Sequence, residues 1–256
     1  MITAGIDAGS RAIKIALFDT EQQAVIALGT VDQGVAQKLL VVDLYDRLVT
    51  GQGLRWQAIH RVIATGYGRG AIDLADTTIT EITCHAAGVR FVAPDTATII
   101  EIGGQDSKLL RLQENGTVRD FVMNDRCAAG TGRFLEMAAQ RLETPLEMLG
   151  MLAAQSHAPA RINSTCVVFA ETEIIGLLAS GADAADILAG IQAAVATRVA
   201  AMTGGRVTPP VYFTGGVALI PGMREALAAA LDVPIAIADP PLYTGAIGAA
   251  LLAARG

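Results

Sequence analysis

Much of what this 256-residue sequence lacks is informative. No apolar run reaches the roughly 18 residues that a membrane-spanning helix needs, although apolar residues make up 52% of the chain. Ala and Gly dominate that content, which suits helices packed closely on one another. No basic segment followed by an apolar one opens the chain. Met1 to Asp7 read instead as a buried strand, so the expectation is a cytoplasmic protein with no membrane partner. There is no basic stripe and the net charge is −6, which argues against nucleic acid as the main partner. Cysteine is scarce: Cys84, Cys127 and Cys166 are an odd number and suggest no disulfide framework, leaving metal binding, redox chemistry or packing. Two common nucleotide signatures are also missing, the P-loop and the Gly-x-Gly-x-x-Gly turn between a strand and a helix.

What is present is a strand, a glycine turn and a strand, twice over. Ile2 to Ile6 run mostly apolar into Asp7; after Gly9-Ser10, Ile13, Ile15 and Leu17 alternate with period 2, with Lys14 pointing the other way. A third strand is predicted at 24–30, a helix at 34–49 and a strand at 59–64 that ends at Gly66. The opening pattern recurs where Thr98 to Ile102 run into Gly103-Gly104-Gln105-Asp106-Ser107. A strand at 109–112, an Asn115-Gly116 hairpin turn and a strand at 118–123 follow. The recurrence suggests an internal duplication at the level of architecture. Helices are predicted at about 131–142, 145–154, 167–180, 183–202, 221–231 and 242–254, with a short strand at 211–213 entering Thr214-Gly215-Gly216. Hairpins mixed with helices, without βαβ regularity, predict an α/β fold of two subdomains around a nucleotide cleft. The expected division is 1–93 with 242–256, and 94–241.

The two glycine turns are candidate phosphate sites. A tight glycine turn lines up backbone N–H groups into a concave anion site, and glycine lets phosphate approach without a Cβ in the way. Asp7-Ala8-Gly9-Ser10 forms the first loop and Gly103 to Lys108 the second. Asp7 can hold a hydrated Mg²⁺, which needs few carboxylates. Gln105 or Asp106 can orient an attacking water, since phosphoryl transfer is mainly positioning and charge stabilisation. Gly and Asp also dominate ordinary turns, so either loop alone has an equally good structural explanation. Both loops together with Thr214-Gly215-Gly216 favour a nucleotide.

Cys127 and Cys166 each stand just ahead of a predicted helix, whose N-terminus favours a thiolate or an anionic cluster. Two thiolates are too few for a four-cysteine iron–sulfur cluster; a two-fold homodimer supplies four, with the cluster on its axis. From residue chemistry alone, cysteines this far apart without a Cys-x-x-Cys are more often buried packing residues. Cys84, beside His85, is assigned no ligand role.

The run Ile102 to Lys108, followed by Met123-Asn124-Asp125-Arg126-Cys127-Ala128-Ala129-Gly130-Thr131-Gly132-Arg133-Phe134-Leu135-Glu136, resembles the BadF/BadG/BcrA/BcrD ATPase family. Within that family it looks like the activators of 2-hydroxyacyl-CoA dehydratases. Gly5 to Ser10, Thr65 to Arg69, Glu81 to His85, Cys166 to Glu173, Thr214 to Val217 and Gly245 to Ala250 complete a resemblance over almost the whole chain. It implies an actin/sugar-kinase/heat-shock ATPase-like (ribonuclease H-like) fold and a homodimer. One [4Fe–4S] cluster per dimer would be held by Cys127 and Cys166 of each chain. ATP or ADP with Mg²⁺ would contact Asp7, Gly9, Ser10, Arg11, Lys14, Gly103, Gly104, Gln105, Gly130 and Gly132, with Gly215 and Gly216 bordering the adenosine. Hydrolysis would drive one-electron transfer from a ferredoxin or flavodoxin to a 2-hydroxyacyl-CoA dehydratase-like iron–sulfur enzyme. An ATPase subunit of a benzoyl-CoA reductase, or an activator of a related double-cluster reductase, is the near alternative. The sequence departs from the family pattern at Arg11 and Ile13, where Thr and a Ser or Thr are usual. A sugar or pantothenate kinase on the same fold, with Asp106 as base, and a filament-forming actin-like protein are alternatives from other classes.

Overall fold

The computed structural model describes residues 1–164, 166–204 and 207–255, which divide into two compact units. The first comprises Met1–Thr96, Leu112–Arg119 and Ala238–Gly256; the second comprises Ala97–Arg111 and Asp120–Ile237. Nothing in the local pattern marks 112–119 for the first unit. There Arg90 Nη2 donates to Glu114 O at 3.2 Å and its side chain lies against Gly116.

In the first unit β1 (Ile2–Ala8), β2 (Ala12–Asp19) and β3 (Ala24–Asp32) form an antiparallel meander. The chain then passes through α1 (Gln37–Gly51), and β4 (Ile59–Thr65) pairs in parallel with the other side of β1. A two-residue β5 (Thr77–Thr78) completes the order β3-β2-β1-β4-β5. Helices cover both faces of central β1, so it reads as a mostly apolar run. On one face Ile6, Ile13, Ile15 and Leu17 pack on Val41 and Leu44 of α1. On the other lie α2 (Glu81–Val92) and α8 (Thr244–Ala253). These two helices touch backbone to backbone: a Cβ on Gly248 would stand 1.8 Å from Cys84 O. The predicted elements omit α2. Its Thr83 and Gly88 are weak helix formers, and it is held by packing and by Thr80, whose Oγ1 accepts from Thr83 N–H at 3.4 Å.

The second unit repeats the plan. β6 (Thr98–Ile102) is central, with β7 (Ser107–Leu112) antiparallel on one side and β9 (Val211–Thr214) parallel on the other. β8 (Val118–Asn124) and β10 (Ile235–Ile237) are the edges, giving β10-β9-β6-β7-β8. Counted within each unit, both sheets run third, second, first, fourth, fifth, so the duplication suggested by the glycine turns exists as topology. The core is built from α3 (Gly132–Arg141), α4 (Leu149–Ala153), α5 (Val167–Ala179), α6 (Ala184–Met202) and α7 (Met223–Leu231). Among the described residues α6 alone is long and apolar enough to cross a membrane, and 56% of its apolar window is buried in this core. Strands β5 and β10 are too short to show a period in sequence.

Candidate functional site

In the first unit Asp7 ends β1 directly opposite Lys14 on β2. Lys14 Nζ lies 2.7 Å from Asp7 Oδ2, with side-chain exposures of 12% and 6%. Gly9 N–H donates to Ala12 O at 3.1 Å and closes the turn, leaving Ser10 half-buried at its tip. Arg11 is exposed and pairs with Asp32 on β3, Nη1 to Oδ1 at 3.1 Å. Ile13, where the family pattern has a hydroxyl, is fully buried in the core, so a polar position has become a packing position.

Three further residues enclose Asp7. Thr65 is its register partner on β4, and the next residue, Gly66, has φ +85°. A Cβ on Gly66 would stand 2.4 Å from Asp7 Oδ1. Gly245, at the start of α8, lies between Asp7 and His85: its Cβ would be 2.9 Å from Asp7 Oδ2 and 3.3 Å from His85 Nε2. His85 is buried, with Nδ1 2.9 Å from Thr244 Oγ1. Sequence reasoning gave His85 and Gly245 no role; the available signal was their place in the family-like stretches Glu81 to His85 and Gly245 to Ala250. Beside it, burial pushes the Cys84 thiol up to about 12, with the Thr65 hydroxyl acting in the opposite sense.

The second unit builds the same frame. Glu101 on β6 stands opposite Lys108 on β7, and Lys108 Nζ lies 2.7 Å from Glu101 Oε2 and 2.8 Å from Asp106 Oδ2. Gly103 N–H donates to Asp106 O at 2.9 Å. Thr214 is the register partner of Glu101, and Gly215 follows with φ +90°. A Cβ on Gly215 would meet Ile102 O at 2.3 Å, and Gly216 opens a 3₁₀ turn. Gln105 is exposed at the tip beside half-buried Gly104, whereas Asp106 is anchored by Lys108. Asp106 is therefore held in orientation rather than presented as an unpaired base. Glu101 was missed; the signal was an acid preceding a lysine at the same spacing in both hairpins.

Gly130 and Gly132 are both buried. Gly132 N–H donates to Gly103 O and Arg133 N–H to Gly104 O, each at 2.9 Å. The first amides of α3 thus fasten that helix to the second hairpin.

The cysteines separate sharply. Cys84 is fully buried, while Cys127 and Cys166 are exposed, which overturns the packing reading for those two. Cys166 is the N-cap of α5, as its position before a helix required. Cys127 is not at an α-helix start: a 3₁₀ turn, Ala128–Gly130, intervenes before α3. Its backbone is instead clasped by Asn124, whose Nδ2 donates to Cys127 O at 2.7 Å and whose Oδ1 accepts from Cys127 N–H at 3.0 Å. The loop before Cys166 is clasped by Glu173, which accepts from Asn163 N–H and Ser164 N–H at 2.9 Å each. Thr165 of this motif lies outside the described residues. Among the described residues no group of three or more His, Cys, Asp or Glu side chains is arranged to hold a metal within one chain.

This arrangement has close counterparts. The model of the BadF/BadG/BcrA/BcrD ATPase family matches residues 4–253. The chain is 42% identical to the activator of lactoyl-CoA dehydratase from Anaerotignum propionicum over 258 residues, covering 99% of this chain and 97% of that protein. The solved activator of the 2-hydroxyisocaproyl-CoA dehydratase from Clostridium difficile, with bound ADPNP, has a TM-score of 0.94 at 41% identity, covering 99% of this chain and 94% of that one. A ROK family glucokinase from Streptomyces griseus, in complex with glucose and AMPPNP, has a TM-score of 0.60 at 16% identity, covering 100% of each chain, and shows the sugar-kinase fold alone. With two matching hairpins, and with identity and a family match running almost from end to end, the chain belongs to the BadF/BadG/BcrA/BcrD ATPase family.

Proposed function

We propose that this protein is an ATP-hydrolysing iron–sulfur electron-transfer protein that activates a 2-hydroxyacyl-CoA dehydratase-type enzyme. The observation that carries this reading is the pair of exposed, backbone-clasped cysteines in a chain whose remaining cysteine is buried. Two thiols per chain fit a four-cysteine cluster only when two chains share it, so the working form is a homodimer with Cys127 and Cys166 of each chain as ligands. Val168 and Phe169, 67% and 68% exposed, follow Cys166 and are apolar surface for the second copy to cover. When bound, a [4Fe–4S] cluster supplies one-electron storage at low potential, taken from a ferredoxin or flavodoxin and passed to the partner enzyme.

The hairpins supply the nucleotide chemistry. Lys14 stands beside the first turn as a cation for phosphate, and turn amides face phosphate. Asp7 suits a hydrated Mg²⁺ reached through water, because Lys14 already occupies one side of its carboxylate. Gln105, exposed at the second turn, orients the attacking water, and Asp106 is held beside it by Lys108. The test is anaerobic purification with iron and acid-labile sulfide counted per dimer, alongside Cys127→Ser and Cys166→Ser. Roughly four irons per dimer, lost in either variant, is the expected result. An iron-free anaerobic dimer that still binds ATP would remove the electron-transfer reading.

A further inference from the structure

Arg198, on α6, touches both segments that carry the exposed cysteines. Its Nη2 donates to Ser164 O, in the loop that leads to Cys166. Its guanidinium carbon also stands 5.7 Å from the centroid of the Phe134 ring on α3, the helix that follows Cys127. The Cys127 loop runs close to the base of the same side chain: a Cβ on Gly130 would lie 3.7 Å from Arg198 Cβ. Nη1 donates to Ala194 O at 3.0 Å one turn back, which fixes the guanidinium plane.

The clasps made by Asn124 and Glu173 each stiffen one loop. Neither ties one loop to the other. We infer that Arg198 is a positioning residue that holds the two cysteine-bearing segments of a chain in fixed relation, so that both thiols are presented together to one cluster. The inference rests on the reading of Cys127 and Cys166 as cluster ligands. Its physical basis is preorganisation: loops already fixed lose less conformational freedom when a ligand bridges them. Arg suits the task because one side chain can donate to a carbonyl and set its cation within reach of an aromatic ring.

The experiment measures hydrogen exchange on the full chain before iron is supplied, reading the peptides that contain Cys127 and Cys166. A chelator then measures iron loss from the reconstituted dimer. Arg198→Met is expected to speed exchange in both peptides about tenfold, the weight of one hydrogen bond from a charged donor, and to speed iron loss by a similar factor. Arg198→Lys, which keeps a cation and a donor, is expected to recover part of both. Faster exchange at the Cys166 peptide alone would overturn the inference, because a purely local role at Ser164 predicts that pattern. Unchanged iron loss with both peptides loosened would overturn it as well. If Arg198→Met does not fold, Phe134→Leu removes the ring contact, spares the Ser164 bond, and must still loosen the Cys166 peptide. Wild-type protein that takes up no iron would defeat the cluster reading itself, whatever the peptides do.

Discussion

Asp7 faces Lys14 across β1 and β2, and Glu101 faces Lys108 across β6 and β7, at the same spacing along the chain. The correspondence continues outward from each pair. Gly9 and Gly103 close their turns on Ala12 and Asp106, and Thr65-Gly66 and Thr214-Gly215 flank the two acids from the parallel neighbour strand. Both of those glycines have positive φ, +85° and +90°. The hairpins part in their turns: Ser10, Arg11 and Ala12 of the first stand where the second has Gly104, Gln105 and Asp106, whose carboxylate reaches Lys108. Lys108 consequently serves two carboxylates at 2% side-chain exposure, whereas Lys14 serves Asp7 at 12%. One backbone frame has thus been kept twice, while the charges around its lysine differ.

The sharpest test of that contrast is stability. Lys108→Met leaves buried Glu101 and half-buried Asp106 without their cation and is expected to cost about 3–5 kcal/mol in urea unfolding. Lys14→Met should cost clearly less, and equal costs would break the contrast. Next, Gln105→Ala should lower the ATPase kcat about a hundredfold with little change in ATP affinity, while Ser10→Ala, at the tip of the first hairpin, should move affinity more than kcat. Gly66→Ala and Gly215→Ala should each cost about 2 kcal/mol from backbone strain alone; clearly unequal costs would argue against equivalent frames.

The units also differ in how pH should unfold them. In the first, burial pushes Cys84 up to about 12, and burial with help from Asp76 pushes Tyr45 to about 12, from ordinary values of 9.0 and 10.0. These groups keep their protons in the folded chain and lose them in the unfolded one, so their stabilising contribution is intact below pH 9.0 and falls as pH rises toward 12. In the second unit the shifts reverse. Burial raises Glu173, but hydrogen bonds from Asn163 and Ser164 outweigh it and leave the carboxyl below its ordinary value. Asp186 is lowered by the Ser156 hydroxyl and then by the Ala158 amide. Their contribution is present above the ordinary carboxylate range and is lost as pH falls through it and below. Trp56, the single tryptophan, sits in the first unit. Its fluorescence transition should precede the loss of helical signal in alkali and follow it in acid; coincident transitions would show that the units unfold together. The smallest effect is expected at the surface: Arg11→Thr, which restores the usual family residue, removes an exposed pair with Asp32 and should shift stability by less than about 0.5 kcal/mol.

Some of this was written plainly in the sequence. A strand buried on both faces needs a mostly apolar run, and a hairpin at its end needs glycine, so β1, β6 and their turns announced themselves, and with them the duplication. Lys14 could be set apart from Ile13 and Ile15 because strand side chains alternate. Helix α2 was illegible because its stability comes from backbone contact with α8 near the other end of the chain. The cysteines show the limit most clearly. Residue chemistry ranked all three as packing residues; only the tertiary structure buried Cys84 under α8 and left Cys127 and Cys166 at the surface. The sequence by itself determined the two glycine hairpins, since their parts lie within a few residues and obey strand periodicity, whereas the Glu101–Lys108 pair emerged only from the structure. The tertiary structure decided what encloses them and joins them to the rest: His85 and Gly245 around Asp7, the α3 amides on Gly103 and Gly104, and Arg198 between the cysteine loops. Each of these joins residues far apart in the chain, and no local pattern encodes a contact between segments that only folding brings together.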